Sequence, residues 1–112
     1  MNVSSLERAV PFTTKDGSTI RELHHTLDQS LAEASLGEGQ VTQRHYHGRT
    51  EEIYFVLTGE GEMELDGERT LVGAGDAVLI PAGARHEIRA VTDLRFLCCC
   101  APPYSDDDTF FD

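Results

Sequence analysis

The chain has 112 residues, and its nine Lys and Arg against twenty Asp and Glu give a formal net charge of −11. A chain of this length forms one domain, which excludes a two-domain enzyme. The charge would repel a phosphate backbone and excludes nucleic acid as a partner, while 39% apolar residues are too many for a disordered chain.

The upstream third of the chain has an ambiguous periodicity. After an N-terminal arm at residues 1–16, the segments Ser18–Leu27 and Ser30–Ser35 each fit a strand or a helix. We favour strands, because the sheet predicted downstream has edges that these segments would cover. A single domain is expected over residues 1–112, with its barrel at residues 17–100.

From Val41 onward, turn residues recur every few positions and leave room only for strands. The sharpest signal is Asp66-Gly67, because a type I′ turn needs two positive φ angles; it predicts a hairpin of Glu62–Leu65 with Glu68–Leu71. The other predicted strands, rich in β-branched, aromatic and apolar residues, are Glu51–Leu57, Ala77–Ile80, His86–Val91 and Leu94–Cys100. Many short, evenly spaced strands predict an all-β antiparallel sandwich or barrel.

An acidic C-terminal tail is expected over residues 101–112. Three consecutive Asp follow Pro102-Pro103, so the middle of Ser105–Phe111 is predicted to be solvated. Phe110 and Phe111 are candidates to dock on the barrel.

No apolar run approaches the roughly 18 residues that cross a bilayer, and residues 1–10 lack the apolar stretch of a secretory signal. We therefore expect a soluble, cytoplasmic protein. The three cysteines are consecutive, Cys98, Cys99 and Cys100, and this odd number is no disulfide framework. Reduced thiols, with Cys98 or Cys100 packed as small apolar groups, fit an intracellular protein.

His45 and His47 are separated by one residue, so in a strand both imidazoles would project from the same face. After a short connection the chain re-enters a strand at Glu51-Glu52, which would bring one carboxylate beside them. His86 opens a later strand. These nitrogen and oxygen donors suit a borderline divalent ion, whereas structurally satisfied or exposed histidines are the alternative.

The spacing of these residues resembles the two signatures of the cupins. Gly39, His45, His47, Glu52 and Gly59 match the first signature, and Gly75, Pro81, Gly83 and His86 match the second. The match spans Gly39–Ala90, and Leu94–Ser105 is similar to small stand-alone bacterial cupins. Ala90 departs from the pattern, which usually has Asn at that position. The substitution removes a polar contact behind the metal ligands but leaves the ligands themselves in place.

The resemblance implies a jelly-roll β-barrel that holds one divalent transition metal through His45, His47, Glu52 and His86. Glu51 is the alternative carboxylate, but neighbours in a strand face opposite sides, so only one of the two can coordinate. The spacing favours Glu52. The donor set leaves the identity of the metal open among Zn, Mn, Fe, Ni, Co and Cu.

Four residues share strand parity with these ligands and are candidates for the pocket wall unless a bulge reverses the parity: Val41, Gln43, Tyr54 and Val56. Tyr54 is the candidate catalytic residue, as a proton donor or a group that orients the substrate; a packed tyrosine is the alternative.

Other residues add less to the predicted pocket. Ile88 and Ala90 would make part of it small and apolar. Cys98 or Cys100 would face the ion, or both would be buried and inert. His24-His25 lies outside both signatures and is assigned to the surface or to an interface.

The resemblance favours a metal-dependent enzyme acting on a small polar molecule that chelates the ion, with isomerase, oxygenase, decarboxylase or lyase chemistry and a biosynthetic role among the options. The alternative is a non-catalytic metal-binding or ligand-binding module, or a sensor. A homodimer is expected, because an open barrel covers a sheet edge by pairing with a second copy, and the strand before Val41 is the element expected to be exchanged.

Overall fold

The computed structural model describes residues 1–112 and contains eleven β-strands and one 3-10 turn. The strands are β1 Phe12–Thr13, β2 Thr19–His25, β3 Ser30–Leu36, β4 Tyr46–His47, β5 Glu51–Thr58, β6 Glu60–Leu65, β7 Glu68–Gly73, β8 Ala77–Ile80, β9 His86–Ala90, β10 Leu94–Ala101 and β11 Thr109–Phe110. The 3-10 turn is Asp106–Asp108. None of its elements is a helix of the length and apolarity needed to cross a membrane.

The strands form antiparallel sheets that share one core. The larger sheet has the order β1-β2-β3-β10-β5-β8, a second has the order β7-β6-β9, and β11 pairs with β4. Twelve buried apolar residues pack into a single cluster, and all but Ala84 belong to the six-stranded and three-stranded sheets. Phe96, Ile80, Ile88 and Val56 are among the most buried. The predicted all-β jelly-roll barrel is confirmed.

Strand β5 shows how side-chain alternation positions the pocket. Glu52, Tyr54 and Val56 are buried, whereas their neighbours Glu51 and Ile53 are exposed. Since β10 and β8 pair with this strand on either side, β5 is an interior strand of the larger sheet. The predicted alternation therefore holds along β5.

Two turns depend on backbone conformations that favour glycine. Asp66 and Gly67 have φ angles of 48° and 92°, as a type I′ turn requires, and β6 pairs with β7 as predicted. Gly59, with φ of 88°, joins β5 to β6; a Cβ there would lie 2.0 Å from the carbonyl oxygen of Asp93. Only glycine allows the two turns to approach this closely.

The upstream segments are strands, as favoured, because β2 and β3 pair with each other and β3 pairs with β10. The two-residue strands β1 and β11 carry no periodicity and were not predicted. In the tail, Phe110 pairs with Tyr46 across β11 and β4. Asp106 and Asp107 are exposed, but Asp108 is buried, so the prediction of a solvated acidic run is wrong at that residue.

The segment before His45 contains a bulge that corrects the predicted pocket wall. Val41 bridges to Arg89 and His45 bridges to His86. The chain therefore advances four residues from Val41 to His45 but only three from His86 to Arg89. The extra residue reverses the side-chain parity. Val41 and Gln43 are therefore exposed, and the prediction that they line the pocket is wrong.

Candidate metal centre

Three histidines from different parts of the chain converge in the barrel. His45 precedes β4, His47 ends it, and His86 begins β9, where it pairs with His45. All three side chains are buried, and they offer one nitrogen each within 4.8 Å of one another. The paired His45 and His47 predicted from the sequence thus lie beside His86.

The outer nitrogen of each imidazole has a hydrogen-bond acceptor. Nδ1 of His45 lies 2.8 Å from the carbonyl oxygen of Gln43, and Nδ1 of His86 lies 2.9 Å from that of Ala84. An N–H at each Nδ1 leaves the lone pair on Nε2, the nitrogen that faces the cluster. A hydrogen bond of this kind fixes the tautomer and orientation that a metal ligand needs.

His47 is held through a hydroxyl. The Thr109 hydroxyl donates to the carbonyl oxygen of Ser105 at 2.8 Å, which leaves its oxygen free to accept from Nδ1 of His47 at 3.2 Å. The three imidazoles therefore present the same nitrogen, Nε2, to the centre of the cluster.

Glu52 is the carboxylate that the structure places beside the histidines. Its Oε1 lies 3.3 Å from Nε2 of His47 and 3.6 Å from Nε2 of His86, while Cys100 donates its thiol to Oε2 at 3.3 Å. Glu51, on the opposite face, is exposed.

Two polar atoms at the centre are buried without a hydrogen-bond partner: Oε1 of Glu52 and Nε2 of His86. Buried polar atoms are seldom left unpaired, because each loses its hydrogen bonds to water without gaining one in the protein. An unpaired carboxylate oxygen beside a neutral imidazole nitrogen offers two acceptors and no donor. A divalent cation satisfies both, so the residues fit a metal ion.

The ionisation of these groups reflects both burial and their neighbours. Burial alone would raise the pKa of Glu52, but the imidazoles of His47 and His86, close to its carboxylate, lower it to about 2. Burial acts to lower the pKa of His47, yet Glu52 outweighs this effect and raises it. Burial and the nearby His86 lower the pKa of His45. The Glu52 carboxylate is therefore ionised at every pH at which the histidines are neutral and can bind a metal.

A pocket extends from His45 and His47 along one face of the larger sheet. Its lining includes Tyr54, Cys98 and Cys100 together with apolar side chains such as Ile20 and Phe96. Burial raises the pKa of the Tyr54 hydroxyl and of the Cys98 thiol well above their ordinary values, so both stay protonated. Val56 instead packs in the core.

The structure corrects the prediction that Ile88 and Ala90 line the pocket, and it places His24 and His25 away from the site. Ile88 and Ala90 share a face of β9 with His86 but are fully buried in the apolar core and do not line the pocket. His24 and His25 lie outside the histidine cluster, and His25 pairs with Glu22 at 3.0 Å on the surface.

The segments on either side of the central strands also build the site, which sequence reasoning missed. Asp16, in the turn between β1 and β2, places Oδ2 at 3.8 Å from Nε2 of His45. The rings of Tyr104 and Phe111 lie near His47 and His45, with centroid distances of 5.9 and 6.0 Å. The docking predicted for Phe111 was the only signal of these contacts in the sequence.

Asp108 fixes the connection between His47 and Glu52. Its carboxylate accepts hydrogen bonds from the backbone N–H groups of Arg49 and Thr50 at 3.1 Å. Burial acts to raise the pKa of Asp108, but these two N–H groups lower it overall. The ionised tail residue therefore holds the turn that sets two candidate ligands in place.

Comparison with known proteins gives both a family and relatives. A family model described as "Cupin domain" matches residues 32–100. An uncharacterized protein of Methanocaldococcus jannaschii, MJ1618, is 44% identical over 110 residues, which cover 92% of this chain and 88% of that protein. Quercetin 2,3-dioxygenase of Bacillus subtilis is 46% identical over 55 residues, 49% of this chain but only 16% of the dioxygenase.

The fold is also similar to solved structures. The structure of KdgF from Halomonas sp. superposes with a TM-score of 0.86 at 25% sequence identity, covering 96% of this chain and 97% of that one.

Proposed function

The chain belongs to the cupin domain family, and on that premise we propose that it binds one divalent transition metal through His45, His47, Glu52 and His86. The observation that carries the proposal is the pair of buried, unpaired atoms, Glu52 Oε1 and His86 Nε2, at the point where the three imidazoles converge. The ion is one of Zn, Mn, Fe, Ni, Co or Cu, since imidazole and carboxylate donors suit all of them.

We further propose that the chain is an enzyme for a small molecule that binds the ion. A divalent ion held there would supply Lewis-acid activation of an oxygen-bearing or nitrogen-bearing substrate. The dioxygenase relative supports a catalytic role for such a site, although the shared segment is a small part of that enzyme. The reaction belongs to the isomerase, oxygenase, decarboxylase or lyase type.

Tyr54 is the proposed catalytic residue. It is buried, lines the pocket, and its ring centroid lies 6.0 Å from that of His86. Because burial raises its pKa, the phenol keeps its proton and serves as a hydrogen-bond donor that orients the substrate. Glu52 is committed to the histidines, and the Cys98 thiol keeps its proton as well.

Elemental analysis of natively purified protein tests the metal site. We expect close to one transition metal per chain, lost in a His45→Ala/His47→Ala double variant. The matched control is His24→Ala/His25→Ala, which removes two histidines outside the cluster and should leave the metal in place. Equal metal in the wild type and the first variant would refute the site.

A substrate screen on metal-loaded and metal-free protein then tests catalysis. Turnover that requires the metal and falls in Tyr54→Phe would support the enzyme. Ligand binding without turnover would favour the alternative, a non-catalytic ligand-binding module or sensor.

The oligomeric state and the location of the protein in the cell complete the proposal. We propose a homodimer, because apolar side chains are exposed on the outer face of β5 and β8, including Ile53, Phe55 and Leu79. Sedimentation at low and moderate salt should show a dimer that tightens as salt screens the charge of −11, and a monomer at both would contradict it. We also propose that the protein is cytoplasmic.

A further inference from the structure

Apart from the histidines and the proposed metal ion, the charged groups that line the pocket are all acidic. The lining includes three carboxylates, Asp16, Glu22 and Glu52, and neither Lys nor Arg. Glu52 faces the histidines, and Glu22 pairs with His25 at 3.0 Å toward the solvent. Asp16 is thus the carboxylate left to meet a ligand in the pocket.

Asp16 is anchored through one oxygen only. Its Oδ1 accepts hydrogen bonds from the hydroxyl of Thr14 at 2.7 Å and from the backbone N–H and the hydroxyl of Ser18 at 2.9 and 2.7 Å. Its Oδ2 takes part in none of these bonds and lies 3.8 Å from Nε2 of His45. The side chain is 14% exposed, so an anchored and mostly buried carboxylate faces the candidate metal centre.

Neither Lys nor Arg lines the pocket, and most of the cationic side chains are engaged elsewhere. Arg44, Arg85 and Arg95 pair with Glu64, Asp112 and Glu33, and Lys15 donates to the carbonyl oxygen of Asp106. An anionic group entering the pocket would lose hydration beside Asp16 without meeting a protein cation, which is unfavourable. An N–H or O–H donor would instead form a charge-assisted hydrogen bond with Oδ2.

We propose that Asp16 determines the specificity of the pocket, which takes uncharged or cationic ligands that carry an N–H or O–H donor and an apolar body, and rejects anions. The apolar body would pack on the lining formed by side chains such as Ile20, Ala32, Ala34 and Phe96. This inference rests on the metal site proposed above, because the ion anchors one end of the ligand.

Three matched probes test the proposal by binding rather than by turnover. The protein is loaded with Co²⁺, whose visible absorption reports a new ligand, and titrated near neutral pH with 4-methylpyridine, 4-(aminomethyl)pyridine and 4-pyridylacetate. The pyridine nitrogen is the same metal-binding group in all three, whereas the tail is neutral, cationic or anionic. We expect the cationic probe to bind about tenfold more tightly than the anionic one, with the neutral probe between them.

The same titrations on two variants separate Asp16 from general charge. Asp16→Asn keeps an oxygen for the Thr14 and Ser18 donors but removes the negative charge, and should reduce the preference to below about threefold. Glu51→Gln changes the net charge equally at an exposed position outside the pocket and should preserve the wild-type order.

The outcomes distinguish this inference from the metal site. A wild type that takes up no Co²⁺ refutes the proposed function and this inference with it. If Co²⁺ is bound, equal or tighter binding of the anionic probe overturns the inference alone, as does failure of all three probes to bind. A preference that persists in Asp16→Asn, or loss of Co²⁺ from that variant, overturns the role given to Asp16.

Discussion

The central span from His45 to His86 and the segments that flank it contribute to the same site in different ways. The central span supplies the groups that face the centre, namely three Nε2 atoms and the Glu52 carboxylate. The flanks supply groups that act from behind or from the side: Thr109 accepts from His47, Cys100 donates to Glu52, and Asp16 faces His45. The central span therefore supplies all the candidate ligand atoms, whereas the contacts that orient them come from neighbouring carbonyl groups as well as from the flanks.

The sharpest test within the central span compares two neighbouring carboxylates. Glu52→Gln should weaken metal retention by about tenfold or more, because it removes a charged ligand, whereas Glu51→Gln should leave retention nearly intact. Competition with a chromophoric chelator measures both. The reverse result would shift the register of β5 by one residue and turn Tyr54 out of the pocket.

Thr109 tests whether the flank matters as much as the ligands. Thr109→Val keeps the shape but removes the acceptor of the His47 N–H, so metal affinity should fall by several-fold and up to about tenfold. Thr109→Ser retains the hydroxyl and should restore most of the affinity in the same chelator competition. Equal affinities in the two variants would mean that the hydroxyl does not orient His47.

The contribution of Asp108 is tested by measuring the stability of the protein and not its affinity for metal. Asp108→Asn weakens the hydrogen bonds to the N–H groups of Arg49 and Thr50, so the free energy of unfolding should fall by about 1 kcal/mol. Its exposed neighbour offers a matched control, since Asp107→Asn makes the same change away from that turn. Denaturant unfolding of metal-free protein gives the comparison, and equal midpoints would contradict the role of Asp108.

The smallest expected effect is the pH dependence of the metal-free protein. The raised pKa of His47 contributes stability that is complete below about pH 6.5, its ordinary value, and is lost as pH rises through the folded pKa. The lowered pKa of Glu52 contributes stability that is present above about pH 4.5 and is lost as pH falls toward about 2. The contribution of the pair should therefore be largest between these ordinary values.

Urea unfolding across that range measures the effect. Wild-type protein should lose stability on either side of the window relative to Glu52→Gln, which lacks the ion pair. Parallel pH profiles in the two proteins would show that His47 and Glu52 do not interact in the metal-free state.

The same division between centre and flanks explains what the sequence predicted. The strands β5 to β10 were predictable because turn residues separate them, and the four candidate ligands were predictable because alternation and the cupin spacing agree at His45, His47 and Glu52. Asp16 and Thr109 reach the site only through tertiary folding, since neither lies within a repeating pattern. Val41 and Gln43 were misassigned because a bulge changes parity without any glycine to mark it.

That bulge also makes the site sensitive to a single-codon deletion. Surface segments between strands commonly tolerate such changes, and removal of Gln43 or Arg44 would let Val41–His45 match Arg89–His86 one for one, with Thr42 and His45 still facing inward. The residue two positions before His45 would then be Thr42, whose carbonyl would pair with the N–H of Ile88 in the ladder instead of accepting from the histidine ring. The barrel would survive while His45 lost the contact that orients it, so a single-codon deletion would weaken the metal site without unfolding the barrel.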